Sequence, residues 1–379
     1  MKILIIGISV RAMVESAKNS NYRVTALDAF GDQDLRALAK TYSLRREFGV
    51  PYSGNALFQA SRSLEFDAVA YTSNLENHPE VLDRFAEASR IIGNSPQSVR
   101  SVRHWPALFS SLRRAGFSAP ETMYSGGADF GMNRQWLVKP VLSGGGHGIS
   151  FLQERNAAGN GKIVQQYVPG KACSASFVSN GRESVIIGVT EQLIGMDQFG
   201  VQGFRYCGNI LPLPEILEAG AGKRVLKEVR RIADFLTREY CLTGLNTFDF
   251  ILERDRIWLI EVNPRFAASM ELIEQAYGLP VFHLHLQAVV DGRLPAFELE
   301  SPLNSAKFFG KSILFCERNC TAPDTQDWVA RGIRDIPDPG ERLNEGSPVC
   351  TLLTGCRTYD ETLAELIRRA GILKEEIYG

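Results

Sequence analysis

Short apolar runs alternate with amphipathic segments through the first hundred residues, and few folds accept that alternation. Residues 3–7 read as a buried strand, 11–19 as a helix, 22–28 as a second strand and 35–42 as a further helix. Residues 66–72, 79–88 and 90–93 continue the series as strand, helix and short strand. Parallel strands need a crossover of a dozen or more residues, usually helical, and this spacing supplies it. The expected first unit is therefore a doubly wound parallel sheet over residues 1–98.

The rest of the chain has a different texture. A helix is expected over 102–115, a strand over 136–140 and another over 162–167. Residues 173–178 and 184–190 read as paired strands around the Asn180-Gly181 turn. A long amphipathic helix over 223–239 precedes two apolar strands, 246–252 and 256–262, joined by a tight turn. Helices are expected over 270–277 and 281–290. From about Asn304 the sequence is rich in β-type residues with Pro and Gly turns, and a helix is expected near 360–370. The expected divisions are 99–180, 181–300 and 301–379.

Composition excludes several function classes. Charged residues make up 22% of the 379 and the net charge is −1, so a protein built mainly to neutralise nucleic-acid phosphates is not expected. The opening apolar run is too short for a secretory leader, and no run is long enough to span a bilayer. The seven cysteines are scattered, with no Cys/His set of zinc spacing, and are expected to be reduced thiols in a cytoplasmic protein.

The strongest chemical signal is Asn246-Thr-Phe-Asp249-Phe, followed by Glu261-Val-Asn263-Pro-Arg265. On adjacent antiparallel strands, each acid points away from its apolar neighbours, Phe248 and Phe250 for Asp249, Ile260 and Val262 for Glu261. The hairpin then gathers two carboxylates and the Asn263 amide oxygen, hard ligands suited to Mg²⁺ on nucleotide phosphates. Arg265 adds a cation for an anionic substrate. A second signal is Lys139-Pro140, then Ser143-Gly144-Gly145-Gly146-His147-Gly148. Glycines let backbone N–H groups approach phosphate oxygens, and Lys139 supplies a point charge. The strand holding Gln165, Gln166, Tyr167 and Val168 ends in a Pro-Gly turn that could meet an adenine edge; alone it reads as an ordinary strand and turn.

At the carboxyl edge of the first sheet, Ser9 and Arg11 follow the first strand and could hold an anion, while Asp28, closing the second strand, reads equally as a contact for a polar substrate group and as a loop acid. Ser73 and Glu76 follow the 66–72 strand, where substrate contact and helix capping weigh about equally. His283 and His285 are two apart on an expected helix and do not share a face.

Together these motifs resemble the ATP-grasp superfamily, and within it the carboxylate–amine ligases and carboligases related to biotin carboxylase. The resemblance implies a mixed α/β and α+β architecture: a Rossmann-like pre-ATP-grasp domain, a lid subdomain, a large subdomain with the metal site, and a β-rich C-terminal extension. It implies Mg²⁺ on Asp249, Glu261 and Asn263, with Mn²⁺ as an alternative ion. Lys139 would bind ATP phosphates, Arg265 the acyl-phosphate or its parent carboxylate, Gln165 to Val168 adenine, and residues 143–148 would form the lid. The superfamily usually carries a further lysine before the lid. This chain has Ser101-Val-Arg103-His104-Trp105 there, and Arg103 is the candidate substitute. The implied activity is ADP-forming ligation of an acid to an amine through an acyl-phosphate, in a protein compatible with a homodimer. Some members of the group are associated with making one-carbon carrier cofactors. The alternatives are a bicarbonate-dependent carboxylase and a catalytically silent nucleotide-binding subunit.

Overall fold

A computed structural model describes residues 1–124, 134–153, 161–303 and 307–379; the Asn304 start of the tail lies outside them. Five parallel strands form the first sheet among the described residues, in the order Lys40–Ser43, Val24–Asp28, Ile3–Ile6, Ala68–Tyr71, Arg90–Ile92. The central strand registers Ile3 on Val24 at one side and on Ala68 at the other. All four residues of Ile3–Ile6 are buried, as helices on both faces require.

Two expectations for this sheet need correction. The 35–42 segment is not one helix. The helix is Gln33–Leu38, Ala39 is extended, and Lys40–Ser43 pairs in parallel with Val24–Asp28. A further helix, Gly54–Ser61, was not expected; the Ser53 side chain caps it by accepting from the Ala56 N–H. Likewise, the 102–115 helix is two helices, Pro96–Arg103 and Trp105–Arg114, broken at His104 ahead of Pro106.

Among the described residues, four short strands form a second sheet, in the order Thr122–Met123, Lys162–Gln166, Trp136–Pro140, Ser150–Phe151. An eight-stranded antiparallel sheet follows: Arg256–Asn263, Thr243–Glu253, Lys171–Asn180, Ser184–Ile194, Tyr206–Leu211, Phe308–Phe315, Pro348–Cys356, Ile333–Arg334. It runs without interruption from the acid hairpin into the C-terminal strands. Helix Ala221–Tyr240 packs on it through Val225, Val229, Ile232 and Leu236, all buried at helical spacing. The last helix, Tyr359–Tyr378, starts with a capping box between Thr358 and Glu361 and covers Phe308–Phe315 and Pro348–Cys356. No described helix is long and apolar enough to cross a membrane.

Candidate active site

The acid hairpin forms the floor of a cleft of about 240 Å³. Asp249 on Thr243–Glu253 stands directly opposite Glu261 on Arg256–Asn263, and Thr247 stands opposite Asn263. Phe248, Phe250 and Val262 are buried on the other face. The register slips between Asp249 and Phe250, leaving Ile260 without a cross-strand partner. Such a bulge turns two successive side chains the same way. Ile260 therefore lines the cleft beside Glu261, where simple alternation had placed it opposite.

Asn263 Nδ2 donates to Asp249 Oδ2 at 3.0 Å. Burial and the facing Glu261 charge push the Asp249 carboxyl up to about 6, against hydrogen bonds from Ser174 and Gln192. Two carboxylates are thus held together at an energetic cost that a cation would relieve.

Three cations, Lys139, Arg103 and Arg265, stand close to the acids. Lys139, delivered by Trp136–Pro140, is buried; its Nζ donates to Gln165 Oε1 at 3.0 Å and lies 5.4 Å from the Trp105 ring centre. Burial holds its ammonium below the usual lysine range, although Glu261 and Asp249 pull the other way. Arg103 closes helix Pro96–Arg103. It donates to Glu261 Oε1 at 2.8 Å, to the Val262 carbonyl at 3.3 Å and to Asn77 Oδ1 at 2.6 Å. Arg265 donates from Nε and Nη2 to Glu76 Oε1 at 3.0 and 2.8 Å, and from Nη2 to Asn263 Oδ1 at 3.2 Å. Burial would raise the Glu76 carboxyl, but Arg265 prevails and holds it below the usual range.

The glycine loop closes one wall. Gly146 has φ +74°, and a Cβ there would lie 1.8 Å from the Phe204 carbonyl oxygen, so only glycine fits. The Tyr206 N–H donates to the Gly145 carbonyl at 3.1 Å, and Asn77 Nδ2 to the Ser143 carbonyl at 3.3 Å. His147 Nε2 is 3.5 Å from Arg205 Nη2; burial and that guanidinium hold its imidazolium below the usual range. Gly144, Gly145, Gly146, Gln165, Gln166, Tyr167 and Val168 all line the cleft. The Gln165 side chain, however, is committed to Lys139 and Thr122, so it orients the lysine rather than standing free for a base.

The residues expected at the edge of the first sheet divide. Glu76 meets Arg265. Ser9, Arg11, Asp28 and Ser73 do not line the cleft. Arg11 is fully buried and binds Asp335 at 3.0 Å, Glu15 at 2.8 Å and Glu271, so it joins parts of the fold instead of facing a substrate. Asp28 is fully buried and accepts the Phe30 and Gly31 N–H groups at 3.1 and 2.8 Å, holding its loop; burial pushes it up to about 7. Ser9 Oγ is 3.5 Å from Asp335, and the Ser73 carbonyl accepts the Ile8 N–H at 2.7 Å. Missed from the sequence were Ser174, Gln192, Tyr206 and Asn209, which line the cleft from strands carrying no motif, and Thr247, which two-residue alternation from Asp249 could have found.

Residues 106–269 match the family model described as ATP-grasp domain. The chain carries an ATP-grasp domain. It is similar to an uncharacterized protein of Methanocaldococcus jannaschii, 23% identical over 374 residues, covering 93% of this chain and 88% of that one. Its fold is that of the biotin carboxylase domain of Hydrogenobacter thermophilus 2-oxoglutarate carboxylase, determined with MgADP, ADP and bicarbonate. The TM-score is 0.72 at 13% identity, covering 99% of this chain and 90% of that one. The L-amino acid ligase of Bacillus licheniformis is similar too, with TM-score 0.67, 15% identity and coverage of 99% and 97%. The match to the ATP-grasp domain takes in Lys139, the glycine loop, Asp249, Glu261, Asn263 and Arg265, and leaves Arg103 and Glu76 outside it.

Proposed function

We propose that the chain couples ATP cleavage to joining a carboxylic acid to an amine. A carboxylate oxygen attacks the γ-phosphorus, forming an acyl-phosphate and releasing ADP. The amine then displaces phosphate to give an amide. The observation that carries this reading is the facing pair Asp249 and Glu261, with Lys139 in the same cleft and Arg103 bonded to Glu261.

The residues fit a divalent cation. Burial first and the facing Glu261 second raise the Asp249 carboxyl, and a cation between the acids would offset both. Among the described residues no group of three His, Cys, Asp or Glu stands ready for a metal, so phosphate oxygens would complete the coordination. Asp249, Glu261 and Asn263 would hold the ion, Mg²⁺ with Mn²⁺ as a substitute, and Asn263 Oδ1 would exchange Arg265 for it. Bound there, the ion would neutralise phosphate charge.

The chain's own groups do the rest. Lys139 and Arg103 place positive charge where phosphate charge is transferred, and positioning with charge stabilisation carries most of such catalysis. Arg265, braced by Glu76, steers the carboxylate. The glycine loop excludes water from the acyl-phosphate. Likeness to a dimeric carboxylase domain supports a homodimer.

An ADP-release screen of acid and amine pairs, with mass detection of product, tests the reading. Acid-dependent ADP release with an amide mass is expected. ADP release with bicarbonate alone would make it a carboxylase instead. ATP binding without turnover on any pair would make it a silent nucleotide-binding subunit.

A further inference from the structure

Cross-strand register orders the cleft floor in rows. At one end Ile251 faces Ala172, near Tyr167 and Val168 on the same cleft wall. In the next row Glu261, Asp249, Ser174 and Thr190 stand in register. In the third row Asn263, Thr247, Ser176 and Gly188 do the same. Residues 247, 249 and 251 share a face, with about 7 Å between successive ones. The first row is apolar and suits a base. The second carries the acids and suits metal-bound phosphates. An acceptor that attacks the γ-phosphorus in line therefore enters from the third.

That row carries no charge and is built of small polar side chains. Thr247 is fully buried, lines the cleft, and its Oγ1 has no hydrogen-bond partner. Ser269 lines the cleft with Ala267 and Ala268, and its Oγ lies 3.1 Å from Ser176 Oγ. Arg265 stands at the margin. An aliphatic acid seated here would leave the Thr247 hydroxyl buried and unsatisfied, which is costly; an acid bearing its own hydroxyl, amide or amino group would satisfy it.

We propose that this third row is the acid subsite, and that its occupant is a small carboxylic acid whose own hydrogen-bonding group closes on Thr247 Oγ1. Thr247 is then the specificity-determining residue. The inference rests on the ligase reading above.

The test uses full-length protein with MgATP and hydroxylamine as the amine, which turns an acyl-phosphate into a hydroxamate. Matched acids serve as probes: glycolate with propionate, and 3-hydroxypropionate with butyrate. In the wild type the polar member of a pair has a KM at least about tenfold lower. Thr247→Val, equal in shape but without the hydroxyl, brings that ratio close to one, and Thr247→Ser restores it. Direct ATP titration of each variant reports whether the cleft is intact. Preference for the apolar members, or a ratio unmoved by Thr247→Val in a protein that still binds ATP, overturns the inference and leaves the ligase reading standing. Absence of any acid-dependent ADP release from the wild type overturns both.

Discussion

His285 shows how a single side chain can report on the packing around the site. It is fully buried, accepts the Leu245 N–H on Nδ1 at 2.9 Å and donates from Nε2 to the Ile92 carbonyl at 3.1 Å. It therefore fastens the strand that leads to Asp249 against the first sheet. Burial lowers its imidazolium to about 4. A folded value below the unfolded one means that the unfolded chain takes up the proton first. The histidine's contribution is complete above about pH 6.5 and is lost as pH falls through about 4. Urea unfolding at pH 5 and pH 7 should show a stability loss that shrinks by about 2 kcal/mol in His285→Gln. An unchanged loss would mean that His285 does not titrate as its burial requires. The sequence placed this histidine on a helix, on a different face from His283, but its structural task depends on partners 40 and 193 residues away. Arg103 is a parallel case. Its position in the chain was readable, whereas its bond to Glu261 was not, because the two meet only when a helix before the lid packs on the hairpin.

At the scale of elements, the hairpin was legible because its signal is local: alternating apolar and acidic residues around a tight turn. The bulge that turns Ile260 into the cleft was not, since it arises from pairing between strands. Strand Lys40–Ser43 and helix Gly54–Ser61 escaped for a related reason. Both are short, and their conformation is set by parallel pairing and by the Ser53 cap more than by propensity. The glycine loop was legible as a loop, and its reason for being glycine lies in the approach of Gly146 to Phe204. Gly146→Ala should prevent that docking. ATP affinity, measured by titration calorimetry, is expected to fall at least about tenfold with little change in melting temperature, since residues 143–148 are themselves exposed or half-buried. Unchanged ATP affinity would mean that the docked loop is not part of the nucleotide site.

Across the whole molecule, one buried guanidinium joins three regions. Arg11, at the start of the first helix, binds Glu271 beside the cleft and Asp335 in the C-terminal part, and Lys311 shares Glu271 at 2.5 Å. The sequence reading gave Arg11 to a substrate, because a strand-to-helix turn commonly holds anions; here the anions belong to the protein. Removing it strands buried carboxylates, so Arg11→Met should cost about 3–5 kcal/mol in urea unfolding. A loss below about 1 kcal/mol would show that water, rather than Arg11, satisfies those acids.

The proposed chemistry depends on Asp249 and Glu261 holding a metal-bound nucleotide. Titration calorimetry of a non-hydrolysable ATP analogue, with and without Mg²⁺, tests this in the wild type and in Glu261→Gln, a change that keeps the side-chain shape. Wild-type binding should tighten at least about tenfold with Mg²⁺, and Glu261→Gln should lose that gain while remaining folded by circular dichroism. A Glu261→Gln protein that keeps the full Mg²⁺-dependent gain would contradict the account.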